Sequence, residues 1–96
     1  MLVEIDGREV RSEADLHRLL ARALDFGPWY GANLDALRDR LRLDVPRPVR
    51  VTWTYSQVSR KNLGAARFRR ICDLLRLVED EDRASDHENR FEVDLR

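Results

Sequence analysis

Apolar and polar positions alternate along this chain with two different periods, and the change of period marks the elements. The short apolar run from Met1 to Ile5, with Val3 and Ile5, predicts a strand. Asp6-Gly7 reads as a turn, and Arg8 to Val10 as a brief extended return. Leu16, Leu19, Leu20, Ala23 and Leu24 then recur at helical spacing, which predicts a helix to about Asp25. Ser12 is its expected cap, with Asp15 at the reciprocal position of an imperfect capping box. Gly27-Pro28 breaks that helix, because proline lacks the N–H and restricts the residue before it. Asn33 is a good cap for a second helix, on which Leu34, Leu37 and Leu41 share one face until the helix ends near Leu43.

The second half repeats the scheme. Asp44-Val45-Pro46-Arg47-Pro48 is a stiff loop, and Val49, Val51 and Trp53 alternate as in a strand with a buried face. Ser56 or a neighbour caps a short helix through Leu63, ended by Gly64. Ala65 to Val78 is a better helix, with Phe68, Ile71, Cys72, Leu75 and Val78 as its apolar stripe. Glu79 to Glu88 is polar without an apolar period and reads as a mobile acidic loop. Phe91, Val93 and Leu95 alternate with Glu92 and Asp94, which predicts a closing strand with one wet face. Strands separated by helical segments favour right-handed crossovers and a parallel sheet. The expected fold is therefore α/β, a three-stranded parallel sheet covered by about four helices.

At 96 residues the chain makes one domain, 1–96, with a modest core. A single cysteine excludes an internal disulfide, and its place on an apolar stripe makes Cys72 a packing residue. No apolar run approaches membrane length and the N-terminus lacks a signal-peptide layout, so the expectation is a soluble cytoplasmic protein. His17, beside the first leucine stripe, reads as a surface or edge residue. Net charge is zero but unevenly placed: Arg47 to Arg76 holds eight basic residues and one acid, and Leu77 to Arg96 holds eight acids and three arginines. Arg67, Arg70 and Arg76 do not share one helical face, and the acidic tail opposes RNA, so no nucleic-acid partner is expected.

The chemistry concentrates between Phe26 and Val45. Trp29 and Tyr30 sit in a loop, and Gly31 is expected to take a backbone angle most residues resist. Asp35 and Asp39 are one helical turn apart, roughly opposite the leucines, with Arg38 and Arg42 beside them. No phosphate-binding glycine loop, zinc spacing or nucleophile motif is visible, so neither an enzyme nor a metal or cofactor is expected. Two acids on an exposed helix are a poor glycosidase pair, and on the residues alone the favoured reading is surface charges, with the aromatics as core.

The run Tyr30-Gly31-Ala32-Asn33-Leu34-Asp35-Ala36-Leu37 resembles the signature of barstar-like proteins, intracellular inhibitors of secreted bacterial ribonucleases. Ile5-Asp6-Gly7, Arg11-Ser12 and Asp15-Leu16-His17 resemble the family's first strand, turn and first helix, and Pro48 and Trp53 its second strand. The resemblance implies a protein partner, a guanyl-preferring microbial ribonuclease bound about one to one by a monomer that protects its producing cell. It implies Asp39 as the main contact and Asp35 as a second, with Trp29 facing the partner and Tyr30 structural. Gly31, Asn33, Arg38, Arg42, Asp44 and Val45 complete the implied contact region. It also makes a cis Arg47–Pro48 bond more frequent than in proline bonds generally, while the residues alone leave the isomer open.

The chain departs from the family pattern in ways that bear on the partner. Trp29 stands where the best-known member has a tyrosine, which keeps an aromatic contact. Arg38 stands at an aromatic position, Arg42 and Asp44 also differ, and the aromatic expected after the helix is missing. Either Leu77 or Glu79 aligns with an acid expected on the last helix. These changes leave room for an alternative, a barstar-fold module that binds some partner other than a ribonuclease.

Overall fold

Register converts the alternation of each strand into rows that run across a sheet. The computed structural model describes residues 1–85 and 88–96. Strands β1 (Leu2–Asp6), β2 (Val49–Thr54) and β3 (Phe91–Leu95) pair in parallel in the order β1-β2-β3. Val3, Val51 and Val93 form one row, Ile5, Trp53 and Leu95 the next, and Val49 lies against Phe91. The opposite face carries Leu2, Arg50 and Glu92, then Glu4, Thr52 and Asp94, as period-two pleating requires. Parallel sheets are usually covered on both faces. Here the second face is polar, with Arg50 bridged to Glu92 at 3.4 Å.

Helices α1 (Glu13–Leu24) and α2 (Leu34–Leu43) connect β1 to β2, and α3 (Ser56–Leu63) and α4 (Ala65–Ser85) connect β2 to β3. Two right-handed crossovers stepping in the same direction place both helical pairs on one side of the sheet. Accordingly, α2 packs on α4 and α1 on β1. Leu16 and Leu20 of α1, Leu37 and Leu41 of α2, and Ile71, Leu75 and Val78 of α4 close over Trp53 and Phe91 to form the core. The fold is thus the expected three-stranded parallel α/β architecture with four helices.

The structure alters two local readings of these elements and settles one that the residues left open. Gly7–Glu9 is a 3-10 turn, not an extended return, because the Asp6 carboxylate accepts from the Arg8 backbone N–H at 2.9 Å and caps it. The turn presses Gly7 against the end of β2. A Cβ there would lie 2.3 Å from the Thr54 carbonyl oxygen, so only glycine fits. The Ser59 hydroxyl donates to the Gly7 carbonyl at 2.7 Å and accepts from the Trp53 indole N–H at 2.9 Å, which satisfies the one polar atom of the largest core side chain. The Arg47–Pro48 peptide, left open by the residues, is cis.

The second altered reading is the larger. Residues Glu79 to Ser85 are not a loop but the last turns of α4, while residues 86–87 of that stretch lie outside the described residues. Leu75, Glu79 and Asp82 continue the inward stripe at i, i+4 and i+7, with carboxylates in place of apolar groups. Their ligands are the outward N–H groups of the edge strand. The N–H of Arg96 faces β2, bonding to the Trp53 carbonyl, and alternation turns those of Phe91 and Val93 away. Asp82 accepts from Phe91 N at 2.7 Å, and buried Glu79 accepts from Val93 N at 2.9 Å. Helix α4 thereby closes an edge that would otherwise template pairing with another chain. Asp82 also takes a two-pronged contact from Arg47, at 2.7 and 3.3 Å.

Asp82→Ala removes the carboxylate that pairs with Arg47 and the acceptor of the Phe91 N–H in a largely buried place, leaving Arg47 only the Val45 carbonyl. The expected loss is about 2–4 kcal/mol. Urea unfolding should show a lower midpoint with an unchanged slope. A second expectation concerns alkaline pH. Burial raises the Cys72 thiol from 9.0 to about 11, opposed by the Arg76 charge. The unfolded chain therefore loses the thiol proton first, and stability should fall as pH rises from about 9 to about 11. Cys72→Ala should flatten that decline in unfolding titrations, and an equally steep decline would remove the thiol as its cause.

Candidate functional site

The second helix starts where its cap is satisfied. Asn33 is extended, and its Oδ1 accepts from Ala36 N at 2.8 Å. The left-handed residue leading into the cap is Ala32, at φ 53°, not Gly31 as the residues led one to expect. Gly31 matters through proximity, since a Cβ there would approach the Ala36 Cβ to 3.3 Å. From this start Leu37 and Leu41 are wholly buried and Leu34 packs at the edge of the core. Burying each leucine contributes about 1.5–3 kcal/mol, which fixes the roll of the helix.

That roll points Asp35 and Asp39 into solvent. Neither carboxylate has an ion-pair partner among the described residues, and Asp35 lies in the first turn, where the helix dipole favours negative charge. At the other end Asp44 caps the helix and sits 3.6 Å from Arg40. Arg42 reaches across to α4 and meets Glu81 at 3.2 Å. Arg38 is partly buried. Its Nε and the Oε1 of Glu81 are both shielded from solvent without a hydrogen-bond partner among the described residues. On α4, Leu77 is exposed whereas Glu79 is committed to β3, so the acid that turns toward α2 is Glu81.

The aromatics before the helix separate cleanly. Trp29 is 88% exposed. Tyr30 is partly buried, its ring 4.8 Å from that of Phe26, and its hydroxyl is 2.6 Å from Nδ1 of His17. His17 is therefore not a surface residue; it is 1% exposed, with Nε2 3.0 Å from Glu13. A carboxylate only accepts, so in the neutral ring the proton sits on Nε2 and Nδ1 accepts from the Tyr30 hydroxyl. Burial, reinforced by the Glu13 charge and opposed by Arg40, raises the Tyr30 phenol well above its ordinary range. Periodicity puts His17 beside a stripe but cannot show a partner that the next loop supplies.

Arg40 was also missed. It donates to the Phe26 carbonyl at 2.7 Å and lies 5.9 Å from that ring, so it ties α2 to the loop bearing Trp29. Of the positions expected to contact a partner, Trp29, Gly31, Asn33, Asp35, Asp39, Arg42 and Asp44 are at the surface. Tyr30 and Arg38 are partly buried. The Val45 side chain is in the core and holds the following loop from beneath.

Among the described residues no group of His, Cys, Asp and Glu is arranged to hold a metal, and no helix is long and apolar enough to cross a membrane. The Cys72 thiol, raised by burial, is a weak nucleophile. A groove lined by Arg60, Phe68, Arg69 and Cys72 brings together no acid–base pair. The surface centred on α2 instead offers two unpaired carboxylates and one exposed indole on a helix held from below.

Residues 1–96, the whole chain, match the family described as Barstar (barnase inhibitor), and the protein belongs to that family. Its members are ribonuclease inhibitors, not enzymes, and the family implies a ribonuclease as protein partner.

Proposed function

We propose that this protein forms a one-to-one complex with a secreted, guanyl-preferring ribonuclease inside the cell that makes both, with Asp39 and Asp35 occupying the RNA-phosphate site. The observation that carries this reading is the pair of unpaired carboxylates on a helix whose buried leucines prevent it from turning. An RNA-cleaving site must present cations to phosphate. A carboxylate already held in position meets those cations with little loss of conformational freedom. Asp39, mid-helix, enters the site, and Asp35 reinforces it from the first turn. Trp29 adds a flat, stiff apolar contact, and the Tyr30 ring supports it. Arg42, Asp44 and the loop above Val45 form the rim.

Arg38 specifies what lies beside the phosphate site on the partner. Its Nε is desolvated and unsatisfied in the free protein, and Arg42 already has Glu81. A carboxylate on the partner next to its cationic cleft would meet the part of the Arg38 charge that remains exposed beside Asp39. The ribonuclease is accordingly one with acidic surface at the edge of its active site.

Titration into a panel of guanyl-preferring microbial ribonucleases, following RNA cleavage, is expected to reach complete inhibition near equimolar ratio. Asp39→Ala leaves the partner's cations desolvated and unpaired, which costs about 3 kcal/mol or more, at least about a hundredfold in affinity. Unchanged inhibition by that variant would move the site away from α2, and no inhibition by the native protein would assign the surface to a different protein partner. Arg38→Glu is expected to weaken binding more than Arg38→Ala, since it adds repulsion to the lost contact. Equal affinities of the two variants would remove the acidic patch from the description of the partner.

A further inference from the structure

We infer that Glu13 and His17 of α1 are positioning residues for Trp29: through the Tyr30 hydroxyl they hold the loop that presents the indole. The inference rests on Trp29 being a contact residue, as proposed above.

Trp29 cannot hold its own place, because its side chain is almost wholly solvated. Its position is inherited from the backbone between Asp25 and Asn33, a segment without helix or strand that turns through left-handed conformations at Asp25, Gly27 and Ala32. Left untied, a loop of this kind loses conformational freedom at every residue when a partner orders it. Two ties prevent this. Arg40 grips the Phe26 carbonyl from α2, and His17 grips the Tyr30 hydroxyl from α1. The Phe26 and Tyr30 rings pack on each other between the ties, so Gly27-Pro28-Trp29 is a short arch clamped at both feet.

The α1 foot is the more specific of the two. The imidazole is buried, and its orientation is fixed by Glu13 one turn earlier, which holds the Nε2 proton. The remaining nitrogen then has one role, to accept from Tyr30, at 2.6 Å. Tyr30 follows Trp29 directly in the chain, so any shift of its hydroxyl is passed to the indole through a single peptide. A carboxylate, an imidazole and a phenol in series thus transmit the rigidity of the core to a residue at the surface.

Tyr30→Phe removes one oxygen and keeps the ring contact with Phe26. In 15N relaxation of the free protein, the heteronuclear NOE of the Gly27 and Trp29 amides is expected to fall, while amides of α2 keep theirs. Glu13→Ala should act in the same direction with smaller amplitude. Unchanged NOE values at Gly27 and Trp29 in Tyr30→Phe would overturn the inference. Against a ribonuclease the native protein inhibits, Tyr30→Phe is expected to weaken binding about tenfold, or about 1.4 kcal/mol. In a Trp29→Ala background it should weaken binding less than about twofold, because the hydroxyl then has no indole to position. Equal losses in both backgrounds would assign Tyr30 a general stabilising role and overturn the positioning claim. The relaxation experiment needs no partner, so an absence of inhibition would count against the proposed function while the mobility of the arch still decides this inference.

Discussion

The presentation of α2 depends on the burial of Leu37 and Leu41. Those side chains are wholly excluded from solvent, and with them fixed the helix cannot roll without exposing apolar surface worth several kcal/mol. Every feature of the exposed face follows from that constraint. Asp35 and Asp39 point outward because they lie opposite the leucines, and two of the basic side chains nearby are engaged elsewhere. Arg40 is held by the Phe26 carbonyl and Asp44, and Arg42 by Glu81.

The platform beneath that helix is stiffened by charged residues in unusual places. Acids on the inward side of the last turns of α4 take up the outward N–H groups of β3, and Asp82 gathers Arg47 as well. One set of contacts therefore closes the sheet edge and fastens the loop that leads into β2. The face of α4 that turns toward α2 carries Glu81, whose ion pair with Arg42 joins the two helices. Neutral net charge hides this arrangement: the acids of the C-terminal half largely serve structure, while those of α2 are left free.

The loop before α2 applies the same logic to a surface aromatic. Its backbone is irregular, yet both ends are held by hydrogen bonds from helices, and the exposed indole lies between them. A flat apolar group presented in this way loses little freedom on contact, which is what a tight protein–protein interface requires. Among the described residues, the Nε of Arg38 and the Oε1 of Glu81 are shielded from solvent without a hydrogen-bond partner.

Much of this was legible in the order of residues. Strand alternation, the leucine stripes, the Asn33 cap and the Gly27-Pro28 break are local signals, and they sufficed for the parallel α/β fold and for a helix with Asp35 and Asp39 on its outer face. Local signals failed where a polar residue finds its partner far along the chain. Glu79 and Asp82 read as a loop because periodicity recognises apolar side chains, whereas their ligands are backbone groups of a strand not yet formed. His17 read as a surface residue because Tyr30 is contributed by the following loop, and the left-handed residue fell on Ala32 because cap geometry, not glycine content, sets the turn. Periodicity encodes which face of an element is apolar; packing alone brings a carboxylate, an imidazole or a guanidinium within hydrogen-bonding distance of the group that gives it a role.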